Sequence, residues 1–330
     1  MTRLDLDPRR PLILVRVRDE APQLPDVIAR LSRLTGVSVL LLDDASSDGS
    51  SALLHASGLP FWSFPTRRGR DGVLRAGLEL AVRAGVERVV LLDGDGQHPP
   101  ELAPRFLEGL RSARLVRGTR FSPSSPQHGT PPDRVLHARA LGRIVEEATG
   151  WRLSDPACGM AAFRTSLLKD LSWPRSFSHH HGLELALRSW QAGLPREATV
   201  EFPIAAVYDL DSPSFRRKYA PETWRVRLLS RLESHLRRVA ELYAERRPSG
   251  LRPLRAAGPL GQLLAEGRLD LVSAQTLEAV SLEAREEPRE GEATAGTTVE
   301  RLRGSSASEQ EHMIASLHVV PTVSTQAGEG

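Results

Sequence analysis

Three short apolar runs punctuate the first third of the chain: residues 12–17 (LILVRV), 37–43 (VSVLLLD) and 87–93 (ERVVLLD). Each is bounded by polar turn residues and is too short for a buried helix, so each reads as a strand buried on both faces of a parallel sheet. Between the first two, Leu24, Val27, Ile28, Leu31 and Leu34 recur at helical spacing, with Gly36 as the expected stop. Between the second and third, Val73, Leu74, Leu78 and Ala81 repeat that spacing, with Gly85 as the stop. Strands alternating with helices predict an α/β fold with a mostly parallel sheet through about residue 120.

The pattern then changes. Residues 121–133 (FSPSSPQHGTPPD) are proline-rich and aperiodic, which predicts a long loop of the kind that is often functional. A helix over about 135–148 follows, then a short segment from Asp155 to Arg164, a helix near 182–193 and a strand near 198–206. Residues 221–247 predict a basic amphipathic helix with Trp224, Leu228, Leu232 and Leu236 on one side. Beyond Pro248 the composition shifts, and residues 286–311, rich in Glu, Ser, Thr and Gly, are expected to be partly disordered. The expected organisation is a sheet domain over 1–210, a basic helical segment over 211–250 that closes the site, and a helical, partly disordered tail over 251–330.

Charge sharpens this division. The net charge of +3 conceals nine Glu against four Arg in residues 281–330 and twelve Arg or Lys against four Glu in residues 213–256. Such a basic segment suits an anionic partner such as a phosphate or a lipid surface, and equally suits a solvated helix in an arginine-rich chain. Only Lys169 and Lys218 are lysines and neither follows a glycine, so a Walker phosphate loop is absent. The single cysteine, Cys158, excludes an intrachain disulfide and a clustered-cysteine metal site, and reads most simply as a small core residue. The sequence shows no signal peptide and no membrane span, so the expected location is cytoplasmic, with a peripheral contact at the inner membrane face as an extension of the basic segment.

Ligands of open α/β sheets bind outside the carboxyl ends of the strands, and here those ends are acidic: Asp19-Glu20, Asp43-Asp44 and Asp93-Gly94-Asp95. The glycine-rich dinucleotide fingerprint is missing, because Gly94-Asp95-Gly96 continues as Gln97-His98-Pro99. Asp93 and Asp95, two apart in extended backbone, project to one side and offer hard oxygen ligands for Mg²⁺ or Mn²⁺. An isolated Asp-x-Asp is usually a solvated acidic turn, but its place directly after a buried strand and before Pro99-Pro100-Glu101 favours the metal reading.

Read in order, LLLDDASSDGS (40–50), RRGRDGVLRAGLELA (67–81), VVLLDGDGQHPPEL (89–102), RGTR (117–120), SDPACGMAAFR (154–164) and HHGLELALR (180–188) resemble the successive motifs of family 2 glycosyltransferases. The closest subset resembles the dolichyl- or polyprenyl-phosphate sugar synthases. The resemblance implies a GT-A type, Rossmann-like sheet and metal-dependent transfer of a sugar from a nucleoside diphosphate, with inversion, to a polyprenyl phosphate or a glycan, with no nucleic acid involved. It further implies that Asp44, or less readily Asp43, hydrogen-bonds the nucleotide base, that Glu20 closes the first-strand motif, and that Asp93, Gly94, Asp95 and Gln97 form the metal and diphosphate turn. Asp95 and Gln97 are the favoured metal contacts. Arg120 and Arg134 match phosphate-holding basic residues, and Ser214, Arg216 and Arg217 lie in a stretch that closes over a phosphate. Asp155 and Glu184 are candidate acceptor-side bases alongside Asp95 as a catalytic residue; the competing account has Asp155 capping a turn and Glu184 sitting on a helix. His179, His180 and His181 read as a loop lining the acceptor cleft or as a solvated loop.

The chain departs from that family at two places. The first strand ends Arg16-Val17-Arg18-Asp19-Glu20 where the family has Pro-Thr-Tyr-Asn-Glu, which puts Arg18 where a tyrosine lines the base and leaves base identity open. Gly159-Met160-Ala161 stands for Gly-Phe-Arg, with the arginine arriving only at Arg164, which points to an altered acceptor. Two rivals remain at this level: nucleotidyl transfer, which would want a glycine-rich basic loop after the first strand, and a nucleotide-sugar-binding regulatory protein without turnover. Residues 260–280 are also weakly similar to a unit of the N-terminal module of type II secretion ATPases.

Overall fold

The computed structural model describes residues 6–122, 124–128, 132–170, 181–207 and 234–235. The first half runs β1 (Leu12–Val17), α1 (Leu24–Ser32), β2 (Ser38–Asp43), α2 (Ser50–Ala56), β3 (Phe61–Ser63), α3 (Gly69–Arg83), β4 (Arg88–Asp93), α4 (Ala103–Gly109) and β5 (Leu115–Thr119). The second half runs β6 (Gln127–His128), α5 (Pro132–Thr149), β7 (Ala161–Arg164), α6 (Ser166–Asp170), α7 (His181–Gln191), β8 (Thr199–Pro203) and β9 (Ala206–Val207). Seven strands form one sheet in the order β3-β2-β1-β4-β7-β5-β8, and β6 pairs with β9 separately. All pairings of the large sheet are parallel except those of β7, which runs antiparallel to both β4 and β5.

The three apolar runs are the three central strands because each buries both faces. On one face Leu12 and Leu14 of β1, Leu40 and Leu42 of β2 and Val89 and Leu91 of β4 meet Val73, Leu74, Leu78 and Ala81 of α3. On the other, Ile13, Val15 and Val17 meet Leu24, Val27 and Leu31 of α1, Leu54 of α2 and Phe106 of α4. The alternation of strand side chains decides the site as well: continuing each series by two residues puts Arg16, Asp44 and Asp93 on the α3 side of the sheet, and Asp43 on the α1 side.

Gly85 sits at positive φ directly beyond the Ala84 cap of α3, as its spacing predicts. Gly36 does not close α1, which ends at Ser32 with Arg33 as its cap; Gly36 serves the turn into β2 instead. The segment near Asp155–Arg164 contributes an antiparallel strand that periodicity does not announce, because only four residues of it pair. The proline-rich stretch carries the two-residue β6, paired in parallel with β9. Except for Ser234 and His235, the predicted helix over 221–247 and the tail beyond it lie outside the described residues.

Candidate active site

Two loops close the carboxyl ends of β1 and β2, and they are stitched to each other. The Asp19 side chain accepts from the backbone N–H of Ser47 at 2.7 Å, and Asp48 accepts from the N–H of Ala21 at 2.9 Å and from the Ser50 hydroxyl at 2.7 Å. Ser50 Oγ in turn accepts from the N–H of Glu20 at 2.9 Å. Asp19 and Ala45 hold φ values of 53° and 56°, which side-chain-bearing residues adopt only when their surroundings enforce it. Arg18 reinforces the latch: its guanidinium donates to the carbonyl of Asp44 at 2.6 Å and to that of Ala45, and pairs with Asp19 at 2.9 Å. The side chain that stands where the resemblance puts a base-lining tyrosine thus also braces the loop behind β2.

The acidic strand ends have distinct partners. Asp44 is buried, and its Oδ1 accepts from the backbone N–H groups of Arg68 at 2.6 Å and Gly69 at 3.2 Å, which seats the N-terminus of α3. Asp43, equally buried, accepts from the N–H of Ser46 at 2.9 Å. Asp93 takes two guanidinium groups: Arg16 Nε donates to Oδ1 at 3.1 Å and Arg70 Nη2 lies 3.4 Å from Oδ2. Burial is the largest influence on Arg16 and opposes its charge, yet Asp93, Asp95 and Glu20 outweigh it and hold the guanidinium above its ordinary range.

Asp71, in the first turn of α3, is 3% exposed and faces the same cluster. Burial pushes its carboxyl up to about 7, with Glu184 and Asp93 adding to the rise and Arg70 and Arg16 opposing it.

The turn after β4 requires its glycines. A Cβ on Gly94 would lie 2.9 Å from the Arg16 carbonyl, the same carbonyl that accepts from the Gly94 N–H at 2.7 Å. Asp95 follows, half-buried, with Oδ1 accepting from the N–H of Gln97 at 3.1 Å. Gln97 is likewise half-buried, so an exposed edge of the turn carries a carboxylate and an amide oxygen. These are the hard donors that Mg²⁺ or Mn²⁺ accepts. Among the described residues no three His, Cys, Asp or Glu side chains converge as a metal cage, so an ion here would complete its shell with water and phosphate oxygens. His98 is buried behind the turn, 3.9 Å from Cys158 Sγ, with burial holding the imidazole below its usual range and the thiol pushed up to about 12.

On the other side of β4, around β7 and β5, lies a second charged centre. Asp155, fully buried, accepts from Arg120 three times: Nε at 2.7 Å, Nη2 at 3.0 Å and the backbone N–H at 3.1 Å. Arg117, on β5, donates to the carbonyls of Pro156 at 2.7 Å, Asp155 at 3.3 Å and Gly182, and so ties the loop before β7 to the start of α7. Glu184, also fully buried, accepts from Arg188 at 2.9 Å. Neither Asp155 nor Glu184 presents a carboxylate to solvent, and Arg120 is committed to Asp155. Arg134 is half-buried on α5. Ser214, Arg216, Arg217, His179 and His180 lie outside the described residues, and His181 opens α7.

Sequence reading missed Arg16, Arg70, Asp71 and Arg117 as parts of this region. A signal existed for the first: an arginine inside an otherwise apolar strand buried on both faces demands a buried partner.

Comparison with known proteins agrees with this geometry. Residues 12–172 match the model of Glycosyl transferase family 2. The chain is 30% identical over 204 residues to the undecaprenyl-phosphate mannosyltransferase of Micrococcus luteus, an alignment covering 60% of this chain and 84% of that protein. It is 26% identical over 206 residues to the polyprenol monophosphomannose synthase of Mycolicibacterium smegmatis, covering 59% of this chain and 77% of that one. Among solved structures, the glucosyl-3-phosphoglycerate synthase of Mycobacterium tuberculosis superposes with a TM-score of 0.52 at 21% identity, covering 72% of this chain and 80% of that one. At that identity the likeness establishes the fold, a GT-A sheet. Sheet order, acidic strand ends and kinship together make this chain a member of glycosyl transferase family 2, and a glycosyltransferase.

Proposed function

We propose that the protein moves a sugar from a nucleoside-diphosphate sugar to a polyprenyl phosphate. The observation that carries the donor half is the turn Asp93–Gln97, which presents two hard oxygen donors at the end of β4, near the arginine-rich start of α3 that Asp44, across β1, seats. Asp95 and Gln97 would hold a divalent ion against the donor diphosphate, with Gly94 permitting the close turn. The chemistry such an ion supplies is neutralisation of the departing diphosphate. Asp44 and the latched loops after β1 and β2 form the floor on which the nucleoside is oriented, through Arg18, Glu20 and Asp19.

The acceptor half rests on what Asp155 and Glu184 cannot readily do. A hydroxyl acceptor needs a base to take its proton, whereas a phosphate acceptor arrives as an anion. With both candidate carboxylates buried and ion-paired, the geometry favours the phosphate. The named relatives act on undecaprenyl phosphate and polyprenol phosphate, which agrees with that choice. Attack by the phosphate oxygen on the sugar carbon opposite the leaving diphosphate gives inversion. Arg134, Arg216 and Arg217 would hold the phosphates of donor and acceptor, while Arg120, engaged by Asp155, holds the loop before β7.

No helix among the described residues is long and apolar enough to cross a membrane. The basic segment around residues 213–247 would bring the chain to a lipid-linked acceptor at the inner membrane face by attraction to anionic lipid. The deciding experiment incubates the full chain with Mn²⁺, a panel of uridine- and guanosine-based nucleotide sugars and undecaprenyl phosphate, and extracts labelled glycolipid. Transfer only to soluble glycans would overturn the acceptor assignment. Cosedimentation with anionic vesicles, weakening with salt, tests the membrane contact.

A further inference from the structure

We propose that Arg117 and Glu201 are positioning residues for the acceptor: from neighbouring strands they clamp the loop over residues 154–159 and the start of α7 into a fixed wall beside the turn after β4. The identity of the acceptor rests on the function proposed above, but the clamp itself is tested without one.

Topology brings this wall to the site. β7 runs antiparallel between β4 and β5, with Ala161 opposite both Leu91 and Arg117. The loop that enters β7 therefore lies at the carboxyl ends of β4 and β5, next to the turn after β4. Cys158 Sγ, 3.9 Å from His98 Nε2, joins the loop to that turn. A Cβ on Gly182 would strike the Cys158 carbonyl, so α7 begins directly against the loop.

Two strand residues grip it. Arg117 on β5 donates to the carbonyls of Asp155, Pro156 and Gly182. Glu201, its register partner on β8, accepts at Oε2 from the Ser154 N–H at 3.1 Å and from the Ser154 hydroxyl at 3.0 Å, with Arg196 Nη2 4.0 Å away. That hydroxyl also meets Thr119 Oγ1 at 2.7 Å. The Arg117 guanidinium is 1% exposed and its hydrogen bonds go to neutral carbonyls. A buried cation needs a compensating charge. Burial pulls this guanidinium below its ordinary value, and Glu201 is the strongest of the charges that oppose the fall. Arg117 Nε and Glu201 Oε1 are each buried without a hydrogen-bond partner among the described residues, so attraction across the strands, rather than a direct hydrogen bond, links the two grips. Removing the Glu201 charge loosens both.

Steady-state kinetics on the full chain, with Mn²⁺, a nucleotide sugar and undecaprenyl phosphate, test the positioning role. Glu201→Gln keeps an oxygen for Ser154 but removes the charge. It is expected to raise KM for the lipid phosphate about tenfold, while kcat and KM for the nucleotide sugar stay within about twofold. Ser154→Ala removes one hydroxyl from the grip and should raise the acceptor KM about threefold, which keeps the test alive if Glu201→Gln does not fold. An unchanged acceptor KM in the folded variants, or equal losses toward donor and acceptor, overturns the proposal. Hydrogen exchange reads the clamp without any reaction. Both variants should exchange the amides of residues 154–160 at least about threefold faster and leave residues 93–97 unchanged. Unaltered exchange in that loop also overturns the proposal. Wild-type protein that binds UDP or GDP yet glycosylates no lipid phosphate sinks the acceptor reading alone, and the exchange experiment still decides the clamp.

Discussion

The end of β4 and the junction of β5, β7 and α7 both concentrate opposite charges, yet they treat them differently. At β4, Asp93 shares two guanidinium groups, one buried and one partly exposed, and its neighbours Asp95 and Gln97 stay within reach of a ligand. At the junction, Asp155 and Glu184 are sealed, and Arg120 and Arg117 spend their donors on a carboxylate and on backbone carbonyls. The first arrangement has spare capacity at its edge and suits an anionic ligand with its ion. The second holds an irregular loop against the sheet, which is scaffolding built from charge. Acidic residues close to one another in such a fold therefore differ in role according to what already holds their oxygens.

The largest effect should come from breaking the sealed centre. Asp155→Ala strands Arg120 in a buried site and is expected to cost about 3–5 kcal/mol of folding stability, read by chemical denaturation. A loss below about 1 kcal/mol would mean that the pair is as solvated as a surface bridge.

Asp71 tests the cluster behind β4 through pH. Its carboxyl is raised from 3.8 in the unfolded chain to about 7 in the fold, so the folded state binds the proton more tightly. The stability it contributes is fully present below about pH 4 and is lost as pH rises toward 7, a fall of about 1–4 kcal/mol. Asp71→Asn should remove that fall, so the difference between wild type and variant, measured at pH 4 and pH 8, isolates it. Parallel pH profiles would show that Asp71 is ionised in the fold.

At the open turn the effect should move from stability to activity. Asp95→Asn removes one ligand charge from an accessible edge, and turnover is expected to fall at least about tenfold, equivalent to about 1.4 kcal/mol of transition-state stabilisation, with the melting temperature unchanged. Wild-type turnover at limiting Mn²⁺ would remove Asp95 from the metal site. The smallest effect belongs to a surface pair with good geometry. Arg30 reaches both oxygens of Glu101 at 2.6 Å, yet in solvent Glu101→Ala should cost less than about 1 kcal/mol.

The architecture was largely legible before any coordinates. Four apolar residues in a row in each of β1, β2 and β4 leave those strands no solvent face, and the i, i+3, i+4 spacing of α1 and α3 leaves those helices one face to bury. The tight turn after β4 was legible too, since Gly94 and Gly96 interrupt the chain directly after a buried strand. The short elements α2, β3 and β7 were not, because none carries a run of four apolar residues or enough turns to show a period. The bracing of the loop behind β2 by Arg18 was not legible either, because it depends on Asp44 and Ala45 presenting their carbonyls to it.

The sequence by itself determined the layers of this protein, the strands that lie at its centre and the acidic character of their ends, because these follow from local periodicity and from where each apolar run stops. Tertiary structure alone decided which charge meets which. Arg16 and Asp93 are 77 residues apart, Arg120 and Asp155 are 35 apart, and each pair meets only because strand register and the return of β7 bring them to one face. Local pattern carries no information about such encounters. In a low-dielectric interior, where an unmatched charge is costly, those encounters settle which carboxylates serve the scaffold and which remain for a ligand.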